Sequence, residues 1–217
     1  WGAAAAEAVP ALVEALEKTE GEEQWNFIRK NFDVPQVVNY FAVNTVLSHW
    51  DGFFNNYFTY HDTKGTGKWT MYPWDQDNTW GTMGMMGRGP LFYNMPITFG
   101  MKGDAPPGQR PGAGPGRGFG FGFGGGGAGW WRAPGYFSGP LLANPQFRKL
   151  FLARTKEILE TIYKEEAFVP IIDALGERLK PEVKYRAELM RNDPERALQN
   201  LEQILQSLRD HVKKRGE

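Results

Sequence analysis

The chain has 217 residues, 41% of them hydrophobic, enough to bury one sizeable core. Lys and Arg number 25 against 25 Asp and Glu, so the summed surface field gathers neither nucleic acid nor acidic lipid. With no cysteine, a disulfide framework, a thiolate metal site and a Cys nucleophile are excluded, and no apolar stretch approaches the roughly 20 residues needed to span a bilayer. The chain starts at Trp1 rather than Met and shows no charged-then-apolar leader, so a processed terminus or a piece of a longer protein is expected.

Residues Ala3 to Glu17 are Ala-rich, with Val9, Leu12, Val13 and Leu16 at helical spacing. They predict one amphipathic helix, ended over Lys18 to Glu23. After Trp25, Phe27 and Ile28 comes a start signal at Asp33, with Pro35 in the first turn and Gln36 placed for a capping box. Val37, Val38, Phe41, Val43, Val46 and Leu47 then predict a helix to about Ser48 that is apolar nearly all round, hence buried. Asn56 to Tyr60 and Lys68 to Trp74 are strand-like on either side of a turn at Thr63 to Gly67, which makes a β-hairpin. Pro73 falls at the end of the second strand, where a lost ladder bond is tolerable.

Composition changes at Met83. The stretch to Gly139 is rich in Gly, Pro and Met and contains the run Gly118 to Gly124 of alternating Gly and Phe, so it predicts a long, mostly irregular insertion. Regular structure is expected again from Asn144, a helix cap followed by Pro145. Phe147, Leu150, Phe151, Arg154, Ile158, Leu159 and Ile162 fit one long helix. Further helices are predicted over Val169 to Leu179, Pro181 to Arg191 and Pro194 to Lys214, the last with Leu198, Leu201, Ile204, Leu205 and Leu208 as its inner stripe. The reading is an α+β chain in three parts: residues 1–82, an insertion at 83–139, and a helical bundle at 140–217.

Two polar clusters carry the chemistry. The first, His49-Trp50-Asp51-Gly52-Phe53-Phe54-Asn55-Asn56, joins the buried helix to the hairpin. The second, Trp74-Asp75-Gln76-Asp77-Asn78-Thr79-Trp80-Gly81, follows the hairpin directly. A tight hairpin returns the chain to its starting point, so both clusters are expected at one end of it. Carboxylates and a carboxamide there suit Mg²⁺ or Mn²⁺. Protein kinases use an Asp, four residues, an Asn, two short strands and a metal-binding Asp. Asp51, Asn56, the hairpin and Asp75 follow that order, without the usual histidine-arginine-aspartate and aspartate-phenylalanine-glycine wording.

Other readings of the same residues stay open. Asp51 alone would be a turn or helix-ending aspartate, and Asp75 with Asp77 could form half of a structural calcium loop. Asp75-x-Asp77-x-Thr79 after an apolar strand also resembles the nucleophile motif of haloacid-dehalogenase-type phosphatases, which need a downstream lysine and acidic pair after strands. His49 is expected to pack or cap, and His61 and His211 to be surface residues without partners.

The runs Asn39 to Asn44, Trp50-Asp51, Asn55 to Phe58, Gly67-Lys68-Trp69 and Pro73 to Gly81 resemble the CotH kinase family of secreted or spore-coat-associated atypical kinases. Gly139 to Leu142, Asn144 to Arg148 and the following helices are similar to that family's C-terminal part. The resemblance implies a kinase-like C-terminal lobe, ATP with Mg or Mn, a Ser/Thr hydroxyl on a protein substrate, and an extracellular or cell-envelope setting. It assigns Asp51 as catalytic-loop aspartate and Asp75 as principal metal ligand, with Asn55, Asn56 and Asp77 as further metal or phosphate contacts. The family's nucleotide-gripping lysine and its glutamate lie upstream, and no lysine-bearing strand or Gly-rich phosphate loop precedes residue 33 here, so either that lobe was removed, or it lies in another part of a longer protein, or this copy has lost full activity. A non-catalytic envelope module with a structural metal and an aromatic adhesive insertion is the alternative from a different class.

Overall fold

In the computed structural model, residues 3–81, 93, 95–99, 101 and 135–217 are described. The Gly-Phe run and Trp130-Trp131 lie outside them. The described chain is mostly helical, with one two-stranded antiparallel sheet.

Helices α1 (Ala3–Lys18) and α2 (Gly21–Asn31) open the chain. The second was not anticipated. Its signal is electrostatic: Glu22 and Glu23 occupy the first turn and Arg29 and Lys30 the last, each sign matching its end of the helix dipole. Helix α3 (Val34–Val46) starts as expected, the Asp33 carboxylate accepting from Gln36 N at 3.2 Å, and nine of its residues are buried. It is the central rod of the fold, lying along α5 and beneath the hairpin.

Strands β1 (Tyr57–His61) and β2 (Trp69–Pro73) pair in the register Phe58 with Tyr72 and Tyr60 with Thr70. Gln36 does more than its capping position suggested. Its carboxamide accepts from Met71 N at 2.9 Å and donates to Met71 O, acting as a surrogate strand along the outer edge of β2. Asp33 N donates to Trp69 O at 2.9 Å on the same edge. The hairpin is thereby locked to α3.

After the described residues of the Gly-rich stretch, regular structure begins earlier than expected, with α4 (Ser138–Ala143) before α5 (Pro145–Thr161). The Asn144 side chain caps α5 by accepting from Gln146 N and Phe147 N. Within the Gly-rich stretch, Met95, Phe99 and Met101 are fully buried. Phe99 stands edge-on to Phe53 and Phe54, both ring centroids 5.5 Å away.

Helix α6 (Glu165–Leu189) is one continuous helix rather than the two predicted, although Pro170 and Pro181 lie inside it. An interior proline removes a backbone bond and crowds the preceding turn, at a cost of about 3 kcal/mol. Packing outweighs that: α6 lies against α7 (Pro194–Gly216) along its length, with Ile172, Gly176 and Ala187 buried. Of the stripe predicted for α7, Leu205 is buried and Leu201 and Leu208 pack partly, whereas Ile204 is 57% exposed.

His211 corrects a second expectation. It is fully buried, with Nδ1 2.8 Å from the Tyr163 hydroxyl and Nε2 3.1 Å from Ser48 Oγ. A surface histidine was predicted because neither partner is near it in sequence. His61 also has a partner, stacking on Trp69 at 4.5 Å. Among the described residues, no helix is long and apolar enough to cross a membrane.

Candidate functional site

The site is built where α3 ends. Ser48 turns the chain with φ 52°, His49 N donates to Asn44 O at 2.8 Å, and Trp50–Phe53 form one 3-10 turn. Tyr40 anchors that turn from below, its hydroxyl donating to Gly52 O at 2.7 Å. Position 52 has no room for a side chain: a Cβ there would lie 2.5 Å from His49 Nδ1 and 2.9 Å from Asn44 Nδ2. The turn leaves Asp51 largely buried, at 9% exposure, with Asn55 exposed beyond it.

The hairpin then returns the chain as its register requires. Trp74 N donates to Asn56 O at 2.9 Å, which closes the hairpin at the site. Asn56 and Asp75 flank that closure, both in the left-handed region, with φ 56° and 50°. A second 3-10 turn, Gln76–Asn78, follows Asp75, and Trp80 N donates to Leu47 O at 2.7 Å. Trp80 is left-handed as well, with φ 58°. Left-handed backbone costs a non-glycine residue about 1–2 kcal/mol, and such residues persist where surrounding structure imposes them, often at working sites.

These turns converge on one carboxylate. Asp51 Oδ2 accepts from Asn56 Nδ2 at 2.8 Å and from Asn78 Nδ2 at 3.3 Å. Asn56 Nδ2 is also 3.5 Å from Asp75 O, and Asn55 Nδ2 donates to Asn56 Oδ1 at 3.0 Å. Of the candidates, Asp51, Asn55 and Asn56 thus form one hydrogen-bonded chain, joined to Asp75 through its backbone. The Asp75 and Asp77 side chains are exposed on the neighbouring turn. Among the described residues, no three of His, Cys, Asp or Glu gather into a metal-binding group. The donors the site offers are instead two exposed carboxylates, one held carboxylate and several carboxamides. That oxygen set suits a hard cation such as Mg²⁺ or Mn²⁺ rather than a soft one.

Two contributors, Asn78 and His211, escaped the sequence reading, whereas His49 packs as expected. Asn78 donates to Asp51, although its place inside the Asp75 to Gly81 block was the available signal. His49, fully buried, lies with Nδ1 3.2 Å from Asn44 Oδ1 and 3.3 Å from Gln76 Nε2. A neutral ring satisfies one of these at a time, donating to Asn44 or accepting from Gln76. Burial drops the His49 imidazole to about 4, against the opposing pull of the Asp75 charge and backbone carbonyl. His211 completes the group by fixing Ser48 from α7 while its ring stands 5.7 Å from Trp80. Both ends of the site are therefore held by the helical bundle.

Burial raises the Tyr40 and Tyr57 hydroxyls, Tyr57 to about 12, so both stay neutral, and Tyr40 remains a donor to Gly52 O. Asn44 Nδ2 and His49 Nε2 are buried without a partner among the described residues, a polar deficit beside the Trp50–Phe53 turn.

No curated protein matches the chain in sequence. The sequence pattern described as CotH kinase protein matches residues 3–217, and it contains the Asp51 and Asp75 turns just described. The chain belongs to the CotH kinase protein family.

Proposed function

We propose that this chain carries the catalytic and metal-binding turns of an atypical protein kinase that transfers the γ-phosphoryl group of ATP to a Ser or Thr hydroxyl. The observation carrying the proposal is the Asp51 carboxylate, largely buried at the end of α3 and held on Oδ2 by two carboxamides from opposite sides of the hairpin. Such a group is positioned before substrate arrives, as proton acceptance from an attacking hydroxyl requires.

In this reading the hydroxyl oxygen attacks the γ-phosphorus, the bond to the β-phosphate oxygen breaks, and ADP leaves. Asp51 orients the hydroxyl and takes its proton. Asn56 and Asn78 hold the carboxylate in place, and the Asn56 link to the Asp75 backbone ties the acceptor side of the site to the metal side. Asp75, with Asp77 and the Asn55 and Asn56 carboxamide oxygens, would hold Mg or Mn. When bound, that ion neutralises triphosphate charge. The grip on the nucleotide is expected from a lysine-bearing lobe upstream of Trp1, and the setting is extracellular or the cell envelope.

The phosphatase alternative loses support. Asp75 follows an antiparallel hairpin, and beyond Asp77 the described regular elements are helices, with none of the strands that chemistry needs.

The test is incubation of the longest available form of the protein with labelled ATP and Mn²⁺, beside Asp51→Asn and Asp75→Asn variants. Incorporation should fall to background in both. Equal labelling in all three proteins, or none in any, would remove the assignment and favour the non-catalytic module.

A further inference from the structure

Helix α6 exposes apolar side chains that its packing on α7 does not use. Ile171, Leu175, Tyr185 and Leu189 are 56%, 47%, 60% and 70% exposed. The face toward α7 is a different one, marked by Gly176, where a Cβ would lie 2.5 Å from Leu205. At 3.6 residues per turn, Ile171 and Leu189 stand on one line about five turns apart. Leu175 and Tyr185 fall on either side of that line, as do Arg178 and Glu182, both exposed between them. An exposed stripe of this kind marks an interaction surface.

We infer that this stripe is an isologous interface on which a second copy of the chain packs antiparallel. The ground for choosing a second copy is self-complementarity. A two-fold axis level with Lys180 sets Ile171 against the partner's Leu189, Leu175 against the partner's Tyr185, and Arg178 against the partner's Glu182. Each pair sums to the same register, so all form together. Charge agrees with the direction: Arg178 and Glu182, the two charged side chains flanking the centre line of the stripe, meet as two opposite-charge pairs across an antiparallel two-fold, whereas parallel in-register pairing would set Arg178 on Arg178 and Glu182 on Glu182. An unrelated partner would require none of this internal symmetry. No residue of the Asp51 to Asp77 site lies on the stripe.

Sedimentation equilibrium on the 217-residue chain over rising concentration tests the interface, with circular dichroism to verify that each variant is folded. The expected result is a monomer–dimer equilibrium. Leu175→Glu should weaken it about tenfold or more. Arg178→Glu should weaken it by opposing like charges, and the double variant Arg178→Glu/Glu182→Arg should recover association by restoring opposite charges in the same register. A monomer at every concentration overturns the proposal. So does a dimer indifferent to Leu175→Glu, or a charge swap that fails to recover what the single reversal lost.

Discussion

Asn56 donates to Asp51 Oδ2 at 2.8 Å from a backbone held at φ 56°. The two properties separate by substitution. Glycine adopts that backbone without strain but has no carboxamide, while alanine loses the carboxamide and pays for the conformation. Asn56→Ala should therefore be less stable than Asn56→Gly by about 1 kcal/mol in urea denaturation. Both should lose phosphotransfer about a hundredfold, because Asp51 is no longer positioned. Retention of full activity by Asn56→Gly would show that the carboxamide is only a turn residue.

Gly52 sits where two neighbouring side chains leave no space. Gly52→Ala drives a methyl group against His49 and Asn44 at the core of the Trp50–Phe53 turn. Overpacking of this kind costs about 1–3 kcal/mol. Thermal denaturation should show a lowered Tm, and an unchanged Tm would mean that the turn relaxes freely.

Stability should fall in acid because His49 and His211 are buried neutral. Burial lowers each to about 4, from an ordinary value of 6.5. Between those values the unfolded chain binds protons that the folded chain refuses, so stability rises with pH there and levels above about 6.5. Each group contributes a slope of about 1.4 kcal/mol per pH unit inside the window. His211→Gln should remove one of these contributions, which urea titrations at several pH values would register as a flatter profile. A profile identical to the parent would mean that the ring binds its proton equally well in the folded and unfolded chain.

Arg215 collects carbonyls from distant parts of the chain. Its guanidinium donates to Thr45 O at 2.7 Å, Tyr93 O at 3.0 Å and Met95 O. Arg215→Met leaves those carbonyls without their charged donor and should cost about 2–3 kcal/mol. Hydrogen exchange should quicken around Met95 to Phe99 in the variant. Unchanged exchange there would mean that Phe99 packing alone holds the segment.

Much of the framework is written locally. Asp33 with Pro35, Asn144 with Pro145 and the aromatic, β-favouring run of β1 each carry their own signal, so those elements are legible residue by residue. The charge pattern of α2 was equally local but lay in a stretch read as a helix ending. In α6, local chemistry misled: Pro181 predicts a break, and only the contact with α7 along the whole helix outweighs it. His211 failed for a related reason, since Tyr163 and Ser48 are its neighbours in space alone.

The candidate site divides in the same way. By itself the sequence determined the order of the candidate residues, because Asp51, Asn56 and Asp75 are set around a hairpin whose turn and strands are local properties. What the tertiary structure decided is how they meet. It places one buried carboxylate under two carboxamides, leaves Asp75 and Asp77 exposed beside it, and ties the turn at Ser48 to α7 through His211. The physical reason is burial: desolvation and hydrogen-bond partners arise from chain segments brought together across the core, and no local spacing encodes them.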